Sequence, residues 1–88
     1  MEKGNNISSL QDQNQLAQAQ QSILHLQHAV QQAQSHLNDD ILEQVRHSME
    51  RAERSIEQAA KVTHDQGAMD LVRRDYEQQK QAIENIIQ

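Results

Sequence analysis

The sequence predicts an all-α fold, three helices packed as an antiparallel bundle, and three observations carry that prediction. No Pro interrupts the 88 residues. Gln, Ala, Leu, Glu and Arg dominate, and all are good helix formers. Aliphatic side chains recur at three-four spacing, the period of a helix with one buried stripe. Val, Ile and Thr are too sparse and too irregular for strands.

Gly4, Asn5 and Asn6 disfavour helix, so residues 1–8 are expected to form a flexible tail ahead of a single helical domain over 9–88. Ser9-Leu-Gln-Asp12 has capping-box spacing, and Ile7 offers half of a hydrophobic staple. From there Leu16, Ile23, Val30 and Leu37 recur at every seventh residue, and Ala19, Leu26 and Ala33 sit three after the first three of them. That is an a/d heptad seam. Ala17 and Leu24 widen it on one flank and Ala29 on the other, while the opposite face is Gln with scattered His. The first helix is expected over about 9–37, roughly 40 Å long at 1.5 Å per residue.

Asn38-Asp39-Asp40 breaks this pattern with three short polar side chains that compete for backbone N–H groups. Asp40-Ile-Leu-Glu43 resembles a second capping box, and the acids suit the positive end of a new helix. So short a connection makes the second helix, over about 40–64, antiparallel to the first. Its seam is the cleanest in the chain: Leu42, Val45, Met49, Ala52, Ile56 and Ala59 step by three and four. The outer face carries opposite charges four apart: Arg46 with Glu50, Glu50 with Arg54, and Glu57 with Lys61.

Beyond Thr63 the seam resumes at Met69, Val72, Tyr76, Ile83 and Ile86, one residue out of phase. One residue turns a helix face by about 100°. A straight helix would aim its two apolar halves in different directions. Gly67 lies near the slip and Asp65 can cap a new helix, so a third helix is expected over about 68–87. The alternative is a long two-helix hairpin whose second helix continues through Gly67.

Composition limits what such a bundle can do. The formal charge is -5 with the five His neutral, which disfavours nucleic acid as a partner. With no Cys there is no disulfide or thiol chemistry, and a cytoplasmic location is expected. The start of the chain lacks the apolar stretch of a signal peptide, and no run approaches the ~20 apolar residues that span a bilayer. Binding at a membrane surface is not expected, because the first helix lacks the cations and aromatic anchors for it.

His25 and His28, three apart, could share a metal, but the sequence offers no clear third and fourth ligand. The reading is exposed His on a Gln-rich face, with no metal and no cofactor expected. His47 raises the thought of phosphotransfer, yet Ser48 follows it and the Lys or downstream Pro of such helical domains is missing. The acids read as a solvated surface, and two glycines cannot build a phosphate loop. No catalytic residue is expected.

The turn and overall size invite comparison with WXG-type helical hairpins. The chain lacks their Trp, and Lys80 stands where they carry an acid four residues after Tyr76. The Gln-rich first helix and the Asn38-Asp-Asp turn resemble the short, Gln-rich, all-helical proteins of Bacillus-type spore-forming bacteria. That resemblance implies a bacterial helical protein and no particular activity.

Ala at many seam positions makes the core thin, since an Ala contributes far less buried area than a Leu. The expected function is therefore a non-catalytic interaction module that associates with another protein, most simply as a homodimer. Its surface is expected at Ala17, Leu24 and Ala29 with Leu71 and Ile87. The alternatives are a small regulator docking one amphipathic helix on a larger protein and, more remotely, phosphotransfer at His47.

Overall fold

In the computed structural model the chain is described over residues 3–87, with side chains from Gln13 onward. Three helices follow one another: α1 (Lys3–Ser35), α2 (Asp39–Val62) and α3 (Gln66–Ile87). α1 begins well ahead of Ser9. The side chains of the expected cap and staple, Ser9 and Ile7, lie outside the described residues, as do Met1, Glu2 and Gln88.

The first connection is set by Asn38. Its backbone is extended, and its side-chain Oδ1 accepts from the Ile41 N–H at 2.9 Å. Its carbonyl accepts from the Leu42 N–H at 3.0 Å, the first bond of α2. The N-cap is thus Asn38 rather than Asp40, and Asp39 and Asp40 fall in the first turn beside the positive helix end. This cap also ends α1 at Ser35, so Leu37 sits in the loop and is 49% exposed. The expected seam therefore loses its last member.

The second connection is equally short. Thr63 closes α2 by donating its N–H to the Ala59 carbonyl at 2.8 Å, then turns extended. Asp65 Oδ1 accepts from the Ala68 N–H at 3.1 Å and caps α3. The two-helix hairpin is thereby excluded, since the break falls at 63–65. The phase slip explains it. Thr63 stands where the α2 seam continues and is buried, while Met69 opens the α3 seam and is also buried. The turn absorbs the rotation that a straight helix could not. Burying Thr63 has a cost, because its hydroxyl finds no hydrogen-bond partner among the described residues.

Gly67 is not the hinge. It lies in the first turn of α3 and has no positive φ. A Cβ there would meet only Asp65 Oδ1, at an ordinary 3.5 Å. Gly67→Ala is expected to stabilise the fold by about 0.5–1 kcal/mol, through lower chain entropy when unfolded and better helix propensity. A thermal melt followed by circular dichroism should show the midpoint rising by a few degrees; a fall would mean that the backbone at 67 is not helical.

Short turns at both ends make α1 and α2 antiparallel, α2 and α3 antiparallel, and α1 and α3 parallel. Two cross-helix bonds fix the register. The Ser22 and Ser55 hydroxyls meet at 3.0 Å between α1 and α2. The Tyr76 hydroxyl donates to the Glu53 carboxylate between α3 and α2. α1 packs most extensively on α2, next on α3, and α2 and α3 meet least. α1 is thus the central rod. Ile23, Leu26, Val30, Val45, Ile56, Met69, Val72 and Ile83 are buried as expected, and Leu16, Leu42, Met49, Tyr76 and Ile86 pack against them half-buried.

The outer face of α2 departs from expectation. Glu43 pairs with Arg46 at 3.4 Å and with His47 at 3.5 Å. Among the described residues the expected pairs Arg46–Glu50, Glu50–Arg54 and Glu57–Lys61 do not form. Such exposed pairs contribute little, and side-chain entropy readily outweighs them.

Tyr76 supplies a built-in probe as the chain's only aromatic residue. Burial, then its bond to Glu53 and the charges of Glu53 and Glu77, hold the phenol well above its ordinary range. The folded state therefore binds the phenolic proton more tightly than the unfolded state does. The stability this contributes is complete below about pH 10, the ordinary tyrosine value, and is lost as pH rises through the folded value. Tyrosinate absorbance of the folded chain should lag that of the chain in urea. Coincident titrations would show that the contact with Glu53 does not persist in solution.

Candidate interaction surface

Large apolar side chains that remain exposed are Leu24 at 52%, Leu37 at 49%, Leu71 at 57% and Ile87 at 55%. Three of these, Leu24, Leu71 and Ile87, were expected at the surface. Ala17 is exposed too. Ala29 is not: it is 7% exposed and belongs to the core. Its burial follows from the place of α1 between two helices. Ala29 lies about 120° around α1 from Ile23 at 100° per residue, and the buried arc widens to include it because α2 covers that side.

The remaining four do not form one patch. Ala17 and Leu24, seven residues apart, share a face of α1. Leu24 borders a groove between α1 and α3, of about 330 Å³, into which Gln20, Gln27, Asp75, Gln78 and Gln79 also project. Leu71 stands one turn before Asp75 on α3, ahead of the residues that border the groove. Ile87 is sixteen residues beyond Leu71, which puts it about 160° around the helix and about 24 Å along it. It is in phase instead with Met69, at the end of the α3 seam. The topology sets it at the same end of the bundle as Leu37.

The groove has an unusual electrostatic character. From Gln13 to Asn38 the chain has no Asp, Glu, Lys or Arg. The α1 wall is therefore Gln amide and aliphatic carbon, and Asp75 is the one charge that borders the cavity. A Gln amide both donates and accepts, so two such faces can satisfy one another.

His25, His28 and His47 face a second groove, between α1 and α2, with Gln44, Ser48 and Arg51. His47 is well exposed and lies against Glu43, four residues earlier. Among the described residues no group of three or more His and acids is arranged to hold a metal ion. No helix among them is long and apolar enough to cross a membrane.

The chain matches no protein-family model, no curated protein and no solved structure.

Proposed function

We propose that this protein is a non-catalytic helical interaction module that self-associates through the α1/α3 flank, with Leu24 in the groove, Ala17 on the same face of α1 and Leu71 one turn ahead of the groove on α3. The observation that carries the reading is half-exposed Leu24 in a groove walled on α1 by uncharged amides, with exposed Leu71 one turn before Asp75 on α3. A chain of net charge -5 would ordinarily repel its own copy. On this flank the repulsion is low, because α1 contributes no carboxylate to it and Asp75 is the one charge bordering the groove. Self-complementary amides and aliphatic side chains suit a two-fold interface, in which each patch meets itself.

The core supplies the motive. Ala19, Ala33, Ala52 and Ala59 occupy buried layers between the helices. Each contributes little apolar area, so a small bundle gains from burying Leu24 and Leu71 against a second copy. The absence of Cys suits the reducing cytoplasm as the compartment.

Sedimentation equilibrium tests the reading. The mass is expected to rise from 10.1 kDa toward twice that value at micromolar concentration. Leu24→Asp with Leu71→Asp should return it to the monomer with helicity retained, because both side chains are surface groups. A wild-type chain that stays monomeric at all attainable concentrations would refute the proposal, as would a dimer that the double variant leaves intact.

A further inference from the structure

The α1/α2 side of the bundle holds four of the chain's five His. Two adjoining cavities between α1 and α2 form one shallow groove. One is bordered by His25, His28, His47 and Arg51, the other by His28 and His36, with Gln32 and Gln44 common to both. Every polar side chain bordering the groove can donate a hydrogen bond, and no carboxylate is among them.

We propose that the α1/α2 groove is an oxyanion-binding site for a phosphate- or sulfate-like group, active in mildly acidic solution. Imidazole is the side chain whose ordinary charge change lies closest to neutral pH, and the groove sets four imidazoles around the fixed cation of Arg51. Charge-assisted hydrogen bonds from imidazolium and guanidinium are the strong class for oxyanions. The whole chain changes in the same direction. Protonating its five His takes the formal charge from -5 to zero, removing the field that repels anions at neutral pH.

The charged groups around the groove set its limits. On α2, Glu43 lies 3.5 Å from His47 and 3.4 Å from Arg46, so it is the nearest rival to a bound anion. Asp39 and Asp40 lie in the first turn of α2, toward His36, and do not border the cavities. On α1 no carboxylate falls between Asp12 and Asp39. α3 contributes no bordering residue to either cavity.

Sulfate is the suitable probe, since its own charge is fixed across this pH range. Titration of the full chain, followed by amide NMR at constant ionic strength set with chloride, should give saturable shifts at His25, His28, His47 and Arg51 near pH 5.5, and shifts weaker by about tenfold or more near pH 8. His28→Gln with His47→Gln should weaken binding by at least about tenfold, since each substitution removes a charge-assisted donor. Glu43→Gln should act in the opposite direction and tighten it. These side chains are on the surface, and circular dichroism confirms that the variants stay folded. Non-saturating shifts at acid pH would overturn the proposal. So would shifts centred on Arg73, Arg74 and Lys80 of α3, or equal affinity in the wild type and the double His variant.

Discussion

Leu26→Ala is expected to destabilise the protein by about 3–5 kcal/mol, the range for a fully buried Leu whose surroundings cannot collapse into the space. Leu26 is 0% exposed and is among the largest fully buried side chains, with Met69 and Val30. Along the same line of α1, Ala19 precedes it and Ala33 follows. It is thus the one large side chain on that line, and its loss leaves three successive Ala with little to fill the gap. Stability of about 0.05–0.15 kcal/mol per residue gives an 88-residue chain roughly 4–13 kcal/mol in total. The substitution therefore removes a large share and can unfold the chain outright. Leu24→Ala is the internal control: the same residue type, two positions away, is 52% exposed, and its loss should fall within about 0.5 kcal/mol in the monomer. Urea unfolding of both variants decides. Similar costs for the two would mean that α1 is rotated from the orientation described.

The contrast between those two leucines was readable in the sequence, and so was most of the fold. The seams through Ile23, Leu26 and Val30, through Val45 and Ile56, and through Met69, Val72 and Ile83 are periodic, and a local period needs no knowledge of neighbours. The slip between the α2 and α3 seams likewise announced the break. Helix ends were less legible. Asn38, Asp39 and Asp40 can all cap a helix, and their competition is settled by the whole turn, not by residue type. That ambiguity carried Leu37 from the expected core into the loop. Ala29 was misplaced for a different reason: the width of a buried arc depends on how extensively a rod is covered by its neighbours, and α1 is covered most.

The surfaces were the least legible part. Leu24 and Asp75 border one groove, and His25, His28 and His47 border another, only because of the register between helices. That register is fixed by contacts far apart in the sequence, such as Ser22 with Ser55 and Tyr76 with Glu53. Residues such as Gln20, Gln27 and Asp75 gave no local sign that they would share a cavity. The uncharged stretch from Gln13 to Asn38 was visible throughout, but its meaning depended on knowing which side of α1 stayed open.

Ala52→Leu tests whether the Ala layers are tight or merely empty. Ala52 is 0% exposed on α2, between Met49 and Ile56 in the seam. One turn further on, the Ser22 and Ser55 hydroxyls touch at 3.0 Å, which brings the α1 and α2 backbones close. Three added carbons would contribute about 2.4 kcal/mol if they were simply buried, at ~0.8 kcal/mol per methylene. Pushed into a filled layer, they would instead cost about 1–3 kcal/mol and force the helices apart. With the serine contact so near, the steric cost should win, and the variant should unfold at lower urea than the wild type. A more stable variant would reveal a void beside Ala52. The outcome bears on self-association as well. If close-set Ala layers limit what one chain can bury within itself, further apolar burial has to come from outside the bundle, and Leu24 and Leu71 are where a second copy would provide it.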